Sequence, residues 1–103
     1  MVRLSHAHII IPAAMADDLF PGDSQVNWVY YPQRKTLLIA SKGDTLFASL
    51  HKTATTLLKV KNGQGDRSVD IRGLLIDEGI DDADRELAFN QDKAMHVLHI
   101  VFR

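Results

Sequence analysis

The sequence predicts an α+β domain: a small β-barrel-like structure made of two strand-helix-strand-strand repeats, with an amphipathic helix between them. Short β-branched runs, helix-forming runs and turn signals follow one another in the same order in residues 6–42 and 67–103. Between these repeats, over about residues 44–61, the apolar residues change to a helical spacing. A chain of 103 residues fits one hydrophobic core, so residues 1–103 are expected to form a single domain.

The first repeat begins with AHIIIP, which predicts a strand ending at Pro12 because proline cannot donate a backbone hydrogen bond. AAMADDLF contains good helix formers and predicts a short helix. The turn residues PGD then lead into SQVNWVYY and TLLIAS, which PQRK joins into a hairpin. Alternation puts Trp28 and Tyr30 on one face of the first hairpin strand and Val29 and Tyr31 on the other, so both faces should be partly covered.

The connecting helix is predicted from apolar residues spaced three and four apart after Asp44. These residues are Leu46, Phe47, Leu50, Ala54, Leu57 and Leu58. Asp44 or Thr45 can cap the first amides, and NGQG supplies residues that end helices easily. We therefore expect an amphipathic helix with one solvent-exposed face.

The second repeat follows the same plan with weaker turn signals. RSVDI predicts a strand, RGLLIDEGI a short helix, RELAF a strand, NQDKA a turn and MHVLHIVF the last strand. The matched positions are Ile11 with Ile71, Met15 with Leu75, Asp17 with Asp77, Phe20 with Ile80, Val26 with Leu87, Trp28 with Phe89, Leu37 with Leu98 and Ile39 with Ile100. Unrelated units of this kind would share some matches. We favour internal duplication, because two such units can bury their apolar faces by pairing around a pseudo-twofold axis.

The segment from Ile9 to Ala40 resembles the AbrB/SpoVT-type swapped-hairpin domain, in which a strand ending in "IP" leads into a short helix, a "PGD" turn and a hairpin. The matching residues are Ile11, Pro12, Leu19, Pro21, Gly22, Asp23, Val26, Leu38 and Ile39. In that family two copies, usually from two chains, interlock into one barrel. The resemblance implies that a chain carrying both copies closes the barrel by itself, and it implies DNA binding or antitoxin-type regulation through basic residues. The second copy departs from the pattern with "IR" and "DDAD".

The amino-acid composition argues against several classes of protein and of functional site. The chain has no cysteine, so it has no disulfide or thiol chemistry, and a reducing cytoplasm is the expected location. Its apolar runs are too short for a signal peptide or a membrane span, so no membrane association is expected. The formal net charge of -1 gives no overall attraction to nucleic acid.

Constellations that resemble catalytic or metal sites are interpreted as structural. His6 and His8 would share one strand face, with His99 or His51 as a third ligand, but ordinary hydrogen bonding explains them better. Ser49 and Lys52 have an S-x-x-K spacing without its companion motifs. NGQGD lacks a following "GK", and DEGIDDADRE lacks calcium-loop spacing. We expect no catalytic residue, metal or cofactor, and therefore no enzyme.

Two functions remain. The first is a non-enzymatic interaction or scaffold domain that binds a protein partner or itself, as a monomer with an internal pseudo-twofold or as a homodimer. The alternative is an AbrB-like DNA-binding regulator that uses a basic patch. That patch would contain Arg34, Lys35, Lys52, Lys59, Lys61 and Arg67. Trp28, Tyr30 and Tyr31 are interpreted as core or interface residues rather than base-stacking platforms.

Overall fold

A computed structural model describes residues 1–102, which form ten short strands and three short helices. The strands are β1 (Arg3–Ser5), β2 (His8–Ile11), β3 (Gln25–Tyr31), β4 (Thr36–Ser41), β5 (Ala54–Leu57), β6 (Lys59–Val60), β7 (Arg67–Asp70), β8 (Arg85–Glu86), β9 (Ala88–Asp92) and β10 (Val97–Val101). The helices are α1 (Ala13–Leu19), α2 (Thr45–Leu50) and α3 (Arg72–Glu78). The Cα radius of gyration of 12.5 Å is that of a compact domain.

The strands form two antiparallel sheets of five. Sheet A has the order β6-β7-β2-β1-β8, and sheet B has the order β5-β3-β4-β10-β9. The α+β class is therefore confirmed, but the predicted barrel-like closure is wrong: within residues 1–102 the ladders form two separate sheets. The reason is visible at Leu58 and Leu87, single buried residues at which the chain passes from one sheet to the other. Such bends let a strand change sheets without one continuous ladder.

The main core lies between the two sheets. Its most deeply buried side chains come from both: Leu4, Ile9, Ile11 and Val69 from sheet A, and Val26, Leu37, Ile39, Leu98 and Ile100 from sheet B. Helix α1 adds Ala16 and Leu19, and α3 adds Leu74 and Leu75. Alternation along β3 holds as expected, since Trp28 and Tyr30 pack against this core while Val29 and Tyr31 lie on the opposite face.

The predicted helix over residues 44–61 is wrong. Helix α2 ends at Leu50, and the following residues form β5, which pairs antiparallel with β3, and β6, which pairs with β7. The local apolar spacing fits a helix, but the segment is rich in threonine, which favours strands. Pairing with β3 satisfies backbone groups over four residue pairs, from Gln25 with Leu57 to Trp28 with Ala54. That long-range ladder outweighs the local periodicity.

Two smaller boundaries also differ from expectation. Strand β1 was not predicted; it forms a hairpin with β2 in which Leu4 pairs with Ile9. Strand β9 extends to Asp92, so the turn predicted over NQDKA is confined to the residues before β10. Arg103, the last residue of the second predicted repeat, lies outside the described residues. None of the helices within residues 1–102 has both the length and the apolar character needed to cross a membrane.

Corresponding strands of the two predicted repeats lie side by side at the middle of each sheet. In sheet A, β2 pairs with β7, and Ile9 is opposite Val69. In sheet B, β4 pairs with β10, and Leu38 is opposite His99. The turns before β4 and β10 each end in a residue with positive φ: Lys35 at +49° and His96 at +55°.

Candidate interaction site

Sheet B carries a second apolar cluster on the face turned away from the main core. This outer cluster contains the buried residues Leu38, Ala40, Phe47 and Val97, with Val29 and Tyr31 packed against it. All but Phe47 come from β3, β4 and β10, because every second side chain of a strand points to the same face. Phe47 comes from α2, so this helix is the element that covers the outer cluster.

Helix α2 is held in place by a cap at its N-terminal end and by the packing of one side chain. The Phe47 amide donates to the Asp44 carboxylate at 2.9 Å, which satisfies one of the free amides at the start of the helix. Phe47 is the one buried residue of α2, whereas Leu50 is 65% exposed. A helix of six residues is not stable alone in water, so the cap and the Phe47 contact determine where it sits.

A short series of stacked side chains continues from the end of α2 along sheet B. The rings of Phe47 and His51 lie 4.6 Å apart, and His51 Nδ1 shares a hydrogen bond with the Tyr31 hydroxyl. The Arg34 guanidinium lies over the Tyr31 ring, 4.8 Å from its centroid. These contacts fix the residue at which α2 ends relative to β3.

An apolar groove of about 150 Å³ lies between α2 and β10, and we call it the α2 groove. Leu38, Phe47 and Val97 contribute its buried apolar surface. Leu50 and Met95 line it while remaining exposed. Leu50 and Met95 are exposed beside the same buried apolar surface, and contiguous apolar surface of this kind is the feature that marks an interaction site.

Polar side chains also line the α2 groove. Asp44 and Asp92 each use one carboxylate oxygen in a local turn, accepting from the amides of Phe47 and Met95 at 2.9 and 3.0 Å. The other oxygen of each carboxylate is available to a ligand. His51 and His99 add two imidazoles, of which His51 is held by Tyr31.

The residues of the predicted basic patch are divided between different parts of the surface. Arg34 and Lys35 lie in the turn between β3 and β4. Lys35 lines a depression of about 330 Å³ together with Glu78, Asp81 and Arg85, so carboxylates lie close to it. The same depression contains Tyr30, and burial, together with the nearby Glu78 carboxylate, raises the pKa of its hydroxyl.

The other four predicted basic residues are divided, and of these Lys52 lies on the same side as that turn, since its depression shares Tyr30 and Glu78 with the one that Lys35 lines. Lys52 lines a depression with Asp77 and Glu78. Lys59 lies on β6 and Lys61 follows it, while Arg67 on β7 forms an ion pair with Asp17 at 3.8 Å.

Strand pairing explains this separation. Lys52 precedes β5 near Ala54, which is opposite Trp28, whereas Lys59 follows Leu57, which is opposite Gln25 at the start of β3. A strand of seven residues is about 23 Å long, so the two groups lie near opposite ends of β3. The sequence predicts Lys52, Lys59 and Lys61 on one continuous helix beside the hairpin turn of Arg34 and Lys35, whereas in the structure strand pairing separates Lys52 from Lys59.

The histidines near the N-terminus do not share a strand face. His6 lies in the turn between β1 and β2 with φ of +50°, and His8 Nδ1 is 2.8 Å from the His6 carbonyl oxygen. His8 Nε2 lies 4.0 Å from the Asp70 carboxylate. Across residues 1–102 no three histidine, cysteine or acidic side chains are grouped so that they could hold a metal ion.

The serine and lysine of the S-x-x-K spacing are also separated. The Ser49 hydroxyl donates to the Leu46 carbonyl at 2.9 Å, and His51 is bound to Tyr31 rather than to Ser49. Lys52 lines the depression beside Asp77. The three side chains therefore do not form a nucleophile with its base.

Sequence reasoning missed the α2 groove. The one signal for it was the apolar character of both faces of β3, shown by Val29 and Tyr31 beside Trp28 and Tyr30. The contribution of Met95 and Val97 depends on β10 lying next to β4, which is a long-range pairing. Comparison of the chain with protein-family models, with curated proteins and with solved structures found no match.

Proposed function

We propose that this protein is a non-enzymatic interaction domain that binds a protein partner through the α2 groove. The observation that carries the proposal is the outer cluster, an apolar surface on sheet B that α2 covers only in part. Leu50 and Met95, 65% and 47% exposed, extend this surface to the solvent. Partner binding would remove both side chains from water, which is the main favourable contribution to association.

The size of the groove indicates what it binds. An apolar cavity of about 150 Å³ holds a molecule such as benzene, so the α2 groove accommodates one large apolar side chain. Its floor contains Leu38 from β4, the central strand of sheet B, and Val97 from its neighbour β10, and core strands of this kind open least readily. A single anchor side chain in a preformed pocket is a common centre of a protein interface.

The scaffold in this proposal is a duplicated, swapped-hairpin-like domain within one chain. The central pairings of β2 with β7 and of β4 with β10 support it, since each joins corresponding strands of the two predicted repeats. The matching positive-φ residues Lys35 and His96 support it further. Helix α2 lies in the connection between the repeats, and the groove forms where this helix meets β4 of the first repeat and β10 of the second. The absence of cysteine fits a cytoplasmic protein.

The test is selection of binders from a displayed random-peptide library on the immobilised protein, followed by NMR titration with the enriched peptides. We expect enriched peptides to share one large apolar residue and to shift the amide resonances of Leu38, Phe47 and Val97. Leu50→Ser should weaken their binding at least about fivefold, since it removes apolar surface from the groove without adding a charge. It should leave the free energy of unfolding within about 0.5 kcal/mol, because Leu50 is exposed.

Ile76→Ser is the matched control. Ile76 is 73% exposed on α3 and does not line the α2 groove. Its replacement should leave peptide binding unchanged. Peptides that bind Leu50→Ser as tightly as the original protein, or resonance shifts confined to sheet A, would contradict the proposal.

A DNA-binding regulator is the second candidate, supported by the resemblance of the first repeat and by the central pairings of corresponding strands. The divided basic residues make it the weaker of the two. Fluorescence anisotropy of a labelled duplex at low and moderate salt tests it. Binding that falls steeply with salt and is lost in Arg34→Ala/Lys35→Ala, but not in Lys59→Ala/Lys61→Ala, would establish it in place of the interaction domain.

A further inference from the structure

We propose that the partner of the α2 groove carries a lysine or arginine next to its apolar anchor, and that Asp44 and Asp92 bind this cation. The inference rests on the proposed function, since it specifies the chemistry of the segment that enters the same groove. It concerns a peptide segment of a partner protein, in which an apolar side chain and a cation lie within one or two residues of each other.

The first observation is that the groove has fixed charges of one sign. Asp44 and Asp92 line it, and no lysine or arginine among the described residues does so. The depression lined by Tyr30 differs, because Lys35 and Arg85 there accompany Glu78 and Asp81. An anionic anchor would therefore meet two carboxylates in the α2 groove without a compensating cation.

The second observation is that both carboxylates are held in place and only half-buried. Asp44 is fixed by its bond to the Phe47 amide at the start of α2, and Asp92 by its bond to the Met95 amide at the end of β9. Their free oxygens can accept from a cation without breaking these bonds. The adjoining apolar floor of Leu38 and Val97 lowers the local dielectric, which strengthens a charge pair formed there.

The third observation is that the apolar and acidic residues line one small space. A groove of about 150 Å³ has room for the anchor alone, so the cation must lie at its edge. Long lysine and arginine side chains are suited to this, since their stems pack on apolar surface while the charged group reaches a polar partner.

The test uses three small probes that share a phenyl ring: phenethylamine, phenethyl alcohol and hydrocinnamate, which are cationic, neutral and anionic. Each is titrated into the full chain at about pH 8, where histidine is ordinarily neutral, with NMR detection of the amides of Leu38, Phe47 and Val97. We expect the amine to bind about tenfold more tightly than the alcohol, and hydrocinnamate to bind most weakly.

Asp44→Asn and Asp92→Asn are the decisive variants, because asparagine keeps the acceptor oxygen and is itself a good helix cap. Each should remove several-fold of the advantage of the amine over the alcohol while leaving the affinity for the alcohol unchanged. Asp77→Asn, an exposed carboxylate on α3, is the matched control and should change none of the three affinities.

The outcomes separate the two proposals. If the alcohol binds at the groove but the amine binds no better, or if the asparagine variants keep the full preference, the cation inference is overturned and the interaction site stands. If hydrocinnamate binds most tightly, the inference is also overturned. If none of the probes shifts the groove resonances, both the inference and the proposed function lose their support.

Discussion

The two faces of sheet B are built from alternate residues of the same strands, yet they are covered very differently. The inner face meets sheet A, and Leu37 and Ile39 of β4 are fully buried there. On the outer face, the six-residue helix α2 packs through Phe47 on the cluster that contains Leu38 and Ala40 of the same strand. One face is enclosed by a second sheet, whereas the other is partly open and contains the α2 groove.

This difference separates stability from binding along a single strand. A side chain enclosed between two sheets contributes its burial to folding and is not accessible to a partner. A side chain under a short helix contributes less, because the helix itself depends on a cap and one packed ring. The outer face is therefore where the chain can change its contacts at low cost in stability.

The sharpest way to test the comparison is to shorten neighbouring residues on opposite faces. Ile39→Ala should lower the free energy of unfolding by about 4 kcal/mol, because the core between two sheets cannot collapse into the cavity. Leu38→Ala should cost about 2 kcal/mol, since α2 can move toward the space left. Urea unfolding of both variants measures the difference. Equal costs would show that α2 packs as rigidly as sheet A.

Removal of the cap of α2 should have the next largest effect on stability. Asp44→Ala removes the acceptor of the Phe47 amide and should cost about 1 kcal/mol, with faster hydrogen exchange confined to α2 and the outer cluster. Asp44→Asn is the matched control and should remain within a few tenths of a kcal/mol of the original protein. If exchange also accelerated at Ile39 and Leu98, the two faces would unfold together and the comparison would fail.

The smallest effect is expected from acidification. It should weaken the hydrogen bond between the Asp66 carboxylate and the start of α1, a helix that packs on the main core. Bonds from the Asn62 side chain and from the Ala13 amide lower the pKa of Asp66, whose carboxylate lies at the start of α1. Its contribution to stability is therefore present above the pKa of the unfolded state, about 3.9, and is lost as the pH falls through the lower folded value.

Urea unfolding between about pH 3 and pH 7 measures this effect, with Asp66→Asn as the comparison. The difference in stability between the two proteins should shrink as the pH falls. Exchange protection of α2 should change equally in both. A difference that stays constant with pH would show that the Asp66 charge plays no part.

The elements that could be predicted from the sequence are those determined by residues close together along the chain. The β-branched run before Pro12, the helix formers after it and the hairpin of β3 and β4 appear as expected, because each follows from local backbone preferences. The segment after Leu50 was misassigned, because its spacing fits a helix and its threonines fit a strand. The segment forms a strand rather than a helix because it pairs with the edge of β3. The three residues of β1 are too few to give a pattern.

The sequence by itself determined the alternation that gives β3 and β4 two apolar faces, the order of the strands and helix in the first repeat, and the cap of α2 at Asp44. In the second repeat the one strand predicted over RELAF is divided between β8 and β9, which belong to different sheets. The tertiary structure decided which strands became neighbours. It placed β10 beside β4, brought Met95 and Val97 to α2, and separated Lys52 from Lys59. Periodicity and caps act over a few residues and can be read along the chain, whereas strand pairing joins residues far apart in sequence whose contact no local pattern specifies.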